Sequence, residues 1–274
     1  ELSAAAQGCD VIFHAAAQTA VTTSVTNPVA DFQTNAIGSF NVMEAARKND
    51  VKTVLYCSTN KVYGNNTDKL PVIETEKRYQ FGKQDEKGLN ENFSIDLCEH
   101  TPYGTSKLTG DLYAQDYSHV YGIKTGVFRM SCIYGTRQFG VEDQGWVSWF
   151  AIASILGKPL TIYGDGKQVR DVLYVSDLIE LYDKFISSNI KHGVYNTGGG
   201  KDNTLSLLEL LELLKQFTGK ESPLSFSDWR PSDQKVFIAD ISKAKQELDW
   251  APKTTPSDGV QKLVEWVNAN KMIF

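Results

Sequence analysis

Asp10-Val11-Ile12-Phe13-His14-Ala15-Ala16-Ala17 and, further on, Val51-Lys52-Thr53-Val54-Leu55-Tyr56-Cys57-Ser58 are short apolar runs that end in small or hydroxylated residues. Runs of this length and β-branched content suit strands buried on both faces of a parallel sheet, with their C-terminal ends toward a ligand. Between them, over residues 27–48, Val29, Phe32, Ala36, Phe40, Met43 and Ala46 recur at helical spacing. A helix therefore joins the two strands. A third strand is predicted over 125–133. Ahead of it, Thr101-Pro102 opens a helix that passes through Tyr103 and Lys107 to about residue 120, and Gly122 ends it. Alternating strands and helices argue for an α/β fold built on a doubly wound, Rossmann-like parallel sheet with right-handed crossovers.

Past Gly135 the rhythm changes. Helices are predicted over 146–156, 177–187, 206–217, 242–248 and 256–268, with short strands over 160–163 and 194–197. Residues 1–135 are thus expected to form the sheet domain and 136–274 mainly a smaller α/β lobe laid against it. The strands around 160–175 and 194–197 are candidates to return to the main sheet. A ligand cleft is expected between the two parts. The polar stretch 65–99, with scattered charge, Gly and Pro, reads as loop rather than core.

The chain has 274 residues, 41% of them hydrophobic, which is enough for a substantial core. A net charge of -5 with no long basic run gives no electrostatic case for nucleic acid or an anionic membrane. No apolar stretch approaches the roughly 20 residues that span a bilayer, and no secretory signal opens the chain. A cytoplasmic location is expected. Cys9, Cys57, Cys98 and Cys132 show neither a Cys-x-x-Cys pair nor metal-ligand spacing, so they are expected to be reduced and mostly packed, and no metal site is predicted.

Tyr103 and Lys107 are four residues apart, which on a helix places them on one face a turn from each other. A phenol with an ordinary pKa near 10 is a poor base at neutral pH unless a nearby cation favours the phenolate. Lys107 can supply that cation. Upstream, Ser58-Thr59-Asn60-Lys61-Val62-Tyr63-Gly64 lies at the end of the second strand, where open α/β sheets bind ligands. A hydroxyl there, such as that of Thr59, can hold a substrate oxygen while Tyr103 moves its proton.

With these residues in place, the chain resembles the extended short-chain dehydrogenase/reductase family, in its sugar-nucleotide epimerase and dehydratase branch. The matching pieces are His14-Ala15-Ala16-Ala17, Asn35, the segment from Ser58 to Gly64, Tyr103-Gly104-Thr105-Ser106-Lys107, Phe128-Arg129, Tyr134-Gly135, Arg170-Asp171 with Tyr174-Val175 and Asp177, and Trp229-Arg230-Pro231. The resemblance implies NAD as cofactor and a nucleotide sugar as substrate. It makes Tyr103 the general acid/base, gives Lys107 the lowering of its pKa and a contact with the nicotinamide ribose, and makes Thr59 the hydroxyl that orients the sugar. Ala15, Ala16, Ala17, Asn35, Ser58 and Arg129 fall at positions near the cofactor, together with Tyr103 and Lys107. Arg170 and Arg230 match arginines that grip the diphosphate, a role suited to a planar guanidinium. Tyr163 is a candidate to flank the base. His14 is read as a packed strand-end residue, and Gly198-Gly199-Gly200 as a turn. Relatives commonly dimerise through the helix carrying the tyrosine, so a homo-oligomer is expected.

Two departures matter. The Gly-x-x-Gly-x-x-Gly fingerprint that receives the cofactor pyrophosphate is absent, as is the acidic residue that reads the adenosine ribose. The expectation is that a stretch on the order of 60 residues, holding the first strands, precedes Glu1, and that this chain alone binds NAD weakly or not at all. Dehydratases of the branch carry Asp-Glu just after the threonine, whereas here Asn60 and Lys61 follow Thr59. Elimination of water, which needs an acid and a base at those places, is disfavoured, and an epimerase is left. The segment from Arg137 to Val147, with Ser58 to Gly64 and the insertion before Tyr103, resembles as a set the members of the branch that act on CDP-sugars, and that resemblance implies a CDP-sugar inverted at C2. A UDP-hexose inverted at C4 and a non-catalytic NAD-binding regulator are the alternatives.

Overall fold

The computed structural model describes residues 1–230 and 232–274, so Pro231 of the Trp229-Arg230-Pro231 motif lies outside the described residues. In chain order the strands are β1 (Val11–His14), β2 (Thr53–Thr59), β3 (Val72–Glu74), β4 (Tyr79–Phe81), β5 (Lys124–Met130), β6 (Cys132–Tyr134), β7 (Leu160–Tyr163), β8 (Val169–Tyr174), β9 (His192–Thr197), β10 (Thr204–Ser206), β11 (Leu224–Ser227) and β12 (Val236–Phe237). The central sheet has the order β1-β2-β5-β9, and every neighbouring pair is parallel. Parallel neighbours need crossovers, which the intervening helices provide.

β2 is buried along its whole length. Its alternate residues serve two cores. Val54 and Tyr56 pack with Met43 and Ala46 of the helix Gly38–Lys48 and with Ala114 and Tyr117 of the helix Thr101–Tyr121. Leu55 and Cys57 face the other way, toward Leu181 and Phe185 of the helix Val175–Ser187 and Leu248 of the helix Ser242–Leu248. This two-sided cover makes the fold a doubly wound, Rossmann-like α/β sheet. β1 differs from the expectation of a strand buried on both faces. Among the described residues it pairs with β2 alone, and Phe13 is 53% exposed.

The helix predicted over 27–48 is three joined pieces: Pro28–Phe32, a π-helical turn Gln33–Ile37 and Gly38–Lys48. Such a turn shifts the register of the side chains that follow it and is common near functional sites. The strand predicted over 125–133 is two strands. β5 stays in the central sheet, while β6 leaves to pair with β8. At the switch, Ser131 donates its backbone N–H to the Thr197 carbonyl (2.8 Å) and its hydroxyl to the Asp171 carbonyl (3.1 Å). In the C-terminal half, β8 also pairs with β10 and β12, and β7 pairs with β11. β9 lies in the central sheet beside β5, and β7 and β8 do not. Residues 65–99 contribute more to the interior than their polarity suggests. They include the antiparallel pair β3–β4, and Tyr79, Phe81 and Leu89 join Tyr63 and Phe237 in a buried cluster.

Candidate active site

The helix Thr101–Tyr121 starts with Pro102 in its first turn, where the missing N–H costs nothing, and ends at Gly122 with φ 72°. Two glycines let it press against β2 and the turn that follows. A Cβ on Gly104 would lie 2.9 Å from the Lys61 carbonyl oxygen, and one on Gly110 would lie 2.3 Å from the Tyr56 hydroxyl. That hydroxyl donates to the Lys107 carbonyl (2.9 Å). On its other side the helix is held by polar groups. Ser24 Oγ accepts the Tyr103 N–H (3.1 Å), and Ser106 Oγ donates to Asp31 Oδ2 (2.5 Å). Asn35 Nδ2 reaches Asp31 Oδ1 (3.1 Å), Ser106 Oγ (3.1 Å) and the Gln18 carbonyl (3.0 Å), and Asn35 Oδ1 accepts the Gln18 N–H (2.8 Å). Burial raises the pKa of Asp31 against the opposing pull of Ser106 and Lys107. A buried polar network survives only when its members are satisfied, and this one ties the segment after β1 to the Tyr103 helix. Asn35 is thus bonded to protein partners and lines neither lobe of the cleft.

Thr59 and Tyr103 meet at the C-terminal end of β2, and Lys107 follows one helical turn beyond Tyr103 with its ammonium over the Tyr56 ring. Thr59 and Tyr103 line the same lobe of the cleft. Thr59 Oγ1 accepts the Lys61 N–H (3.2 Å), which fixes the orientation of its oxygen. Lys107 is 3% exposed, and its Nζ sits over the Tyr56 ring, 4.5 Å from the centroid. Burial lowers its pKa to about 8, opposed by Cys57, Asp111 and Asp31. Among the described residues no carboxylate lies within ion-pair distance of Lys107, so this cation is available to a hydroxyl-bearing ligand. The expectation that Lys107 lowers the Tyr103 pKa needs correcting. Burial raises the phenol's pKa, with Thr59 opposing the shift and Asp31 and Cys57 adding to it. Desolvation disfavours the phenolate, and Lys107 is not among the groups that shift this phenol.

A second lobe adjoins the first, the two sharing Thr19, Asn60, Lys61, Cys132, Trp146 and Arg230 along their walls. Each is about 230 Å³, a little below the roughly 300–1,000 Å³ that small-molecule sites occupy, and they share a wall. The second lobe receives Arg170, Arg230 and Tyr163. Arg170 Nη2 pairs with Asp233 Oδ1 (2.6 Å). Arg230 Nη2 pairs with Asp143 Oδ1 (3.0 Å), and its guanidinium lies over the Tyr163 ring at 4.0 Å. The cleft therefore runs from a hydroxyl-and-phenol end to an arginine-and-aromatic end, a shape that fits a ligand with an uncharged polar head, an anionic middle and a flat tail.

Other expected residues lie elsewhere. Arg129 and Ser58 are neighbours in the β2–β5 register, and both are turned to the helix rather than the cleft. Arg129 Nε and Nη2 donate to Asp111 Oδ2 (3.0 Å) and Oδ1 (3.3 Å), and Ser58 Oγ donates to Asp111 Oδ2 (2.6 Å). Burial works against the guanidinium's charge, but Asp111 and then Tyr63 outweigh it and leave the pKa raised. These two residues support the floor of the site and line neither lobe. Ala15 and Ala16 are exposed and Ala17 half-buried just past β1, which leaves their backbone open to a ligand at the carboxyl edge of the sheet. His14 is buried, bonded to Ser39 Oγ (2.9 Å), and its pKa is lowered to about 4 by burial and Lys107. Gly198 and Gly200 form a turn packed on Asp171, where a Cβ on Gly198 would come within 1.9 Å of Oδ2. Sequence reasoning did not assign Cys132, Trp146, Gln144 or Asp143 to the site. Three of them lie in the segment from Arg137 to Val147, whose run of charged and aromatic residues was the available signal.

A profile of the NAD dependent epimerase/dehydratase family matches residues 1–198. The chain is 43% identical over 268 residues to a CDP-paratose 2-epimerase of Salmonella typhi, covering 95% of this chain and 78% of that protein. It is 30% identical over 261 residues to a putative UDP-glucose 4-epimerase of Methanocaldococcus jannaschii, covering 95% and 78%. Among solved structures, UDP-glucose 4-epimerase of Thermotoga maritima with UDP-glucose superposes with a TM-score of 0.79 at 30% identity, covering 96% of this chain and 78% of that one. UDP-glucuronic acid 4-epimerase of Bacillus cereus, in complex with UDP-glucuronic acid and NAD, gives 0.82 at 27% identity, covering 100% and 79%. With the strand order, the Thr59–Tyr103–Lys107 cluster and these likenesses in agreement, the chain belongs to the NAD-dependent epimerase/dehydratase family.

Proposed function

We propose that this protein epimerises a nucleotide sugar, converting CDP-paratose to CDP-tyvelose by transient oxidation at C2. The observation that carries the reading is the pair Asn60–Lys61 on the cleft wall beside Thr59 and Tyr103. Neither is the carboxylic acid that dehydratases of the branch carry at those places to expel a hydroxyl, and the Asp143 carboxylate in the same lobe is paired with Arg230, which disfavours elimination and leaves the transfer of one hydride and one proton. The 43% identity to a CDP-paratose 2-epimerase over 95% of the chain supports the sugar and the base.

Bound NAD would supply the hydride acceptor and, when oxidised, a positive charge near the phenol; Lys107, Tyr103 and the backbone past β1 are the residues placed to hold it. Thr59 holds the substrate hydroxyl. In oxidation that hydroxyl's proton passes to Tyr103 as the ring carbon gives up its hydride. In reduction the phenol returns the proton to the carbonyl oxygen while the hydride arrives on the opposite face. The rise in the Tyr103 pKa favours the form that donates to the ketone, and added positive charge favours the form that accepts. Arg170 and Arg230 would bind the diphosphate by exchanging Asp233 and Asp143 for phosphate oxygens, with Tyr163 beside the base.

Inversion of a UDP-hexose at C4 is the second reading, favoured by the likenesses to UDP-glucose 4-epimerases. The full-length protein is expected to turn over CDP-paratose with a kcat/KM at least about tenfold above that for UDP-galactose, a difference of about 1.4 kcal/mol in transition-state binding. Turnover of UDP-galactose alone would replace the first reading with the second.

A further inference from the structure

Three cations line the cleft, and two of them already have a carboxylate. Arg170 is paired with Asp233 and Arg230 with Asp143. Among the described residues no carboxylate lies within ion-pair distance of Lys61 Nζ, whose one hydrogen bond runs to the Ser232 carbonyl (3.0 Å). Lys61 also occupies a particular place. It lines both lobes, its own N–H is bonded to Thr59 Oγ1, and its carbonyl oxygen faces Gly104 beside Tyr103. It stands where the proton-transfer end of the cleft meets the arginine end.

We propose that Lys61 binds the sugar-proximal phosphate of the nucleotide diphosphate and serves as the anchor about which the keto sugar turns. This rests on the nucleotide-sugar reading above and names a positioning residue within it. Of the diphosphate, Arg170 and Arg230 then hold the phosphate on the nucleoside side, with Tyr163 beside the base, and Lys61 holds the phosphate that carries the sugar. Turning the ring over requires rotation about the bonds between C1 and that phosphate, so a fixed phosphate keeps the ketone within reach of Tyr103 on both faces. Burial first and Arg170 second lower the Lys61 pKa to about 8, with Asp233 and Asp68 opposing, and a phosphate arriving there would favour the charged form further.

The test is a comparison of CDP with CMP, which lacks the proximal phosphate, by titration calorimetry on the full-length protein and its Lys61→Met and Lys61→Arg variants. The unaltered protein is expected to bind CDP at least about tenfold more tightly than CMP, the size of one charge-assisted hydrogen bond. Lys61→Met should lose most of that gap with CMP affinity unchanged, and Lys61→Arg should keep it. A gap that survives in Lys61→Met would overturn the assignment. So would an equal loss for CMP and CDP, which would mean that Lys61 acts only by holding the Ser232 loop. Because these titrations use no sugar and no turnover, the epimerase reading stands or falls separately on the substrate comparison.

Discussion

Replacing Tyr103 by Phe is expected to lower kcat about 10³-fold while nucleotide-sugar affinity changes by less than about threefold. The ring itself packs at the start of a helix fixed by Ser24, Ser106 and Asp31, and none of those contacts uses the phenolic oxygen. Removing that oxygen therefore leaves the scaffold and the phosphate end of the cleft in place. What it removes is the group that shares the substrate proton with Thr59. General acid–base groups are worth about 10²- to 10⁴-fold, and the neighbouring phenol of Tyr56 is buried with its hydroxyl committed to the Lys107 carbonyl, so it does not replace Tyr103. Steady-state kinetics and a separate binding titration measure the two quantities. A kcat within about tenfold of the unaltered enzyme would end the proton-transfer role. Substrate binding without turnover in the unaltered enzyme would favour a regulatory protein on the same fold.

The second large effect concerns stability. Arg129→Met should cost about 3–5 kcal/mol, because it strands Asp111 at 0% exposure without its cation. The pair is closed on all sides: Ser58 donates to the same carboxylate, and Arg129 Nη1 reaches the Tyr63 hydroxyl at 3.3 Å. Removing both charges in Arg129→Met/Asp111→Asn should recover a good part of the loss, since the penalty comes from an unpaired buried charge more than from a lost contact. Denaturant melts of the three proteins measure this. An Arg129→Met variant of unchanged stability but weakened NAD affinity would return the residue to the cofactor site, where its place in the sequence first suggested it.

The Arg129–Asp111 pair also marks what residues reveal by themselves. β2, the helix Thr101–Tyr121 and its glycine stop were legible because hydrophobic period and capping act locally. The meeting of Thr59 with Tyr103 followed from the rule that ligands gather at the carboxyl ends of parallel strands. The face of a strand-end residue was not legible. Ser58 and Thr59 are neighbours that point to opposite sides of the sheet, so one meets Asp111 and the other the cleft. Asp111 drew no attention as one polar residue on a helix, yet its burial decides where Arg129 goes. Residues 65–99 misled for a related reason. Tyr79, Phe81 and Leu89 are spread among charges, and only the tertiary contact with Tyr63 and Phe237 makes them a core. Helical spacing reports that Lys107 follows Tyr103 by one turn but says nothing of the desolvation that raises the phenol's pKa, nor of the Tyr56 ring over which the ammonium sits.

The central claim is that a single hydride leaves a ring carbon and comes back to the same carbon on its other face, with Tyr103 carrying the proton. Turnover of CDP-paratose bearing deuterium at C2, in ordinary water, tests it most directly. The account predicts that CDP-tyvelose forms with the deuterium still at C2. Product carrying solvent hydrogen at C2 would mean that the carbon is deprotonated rather than oxidised, and would contradict it.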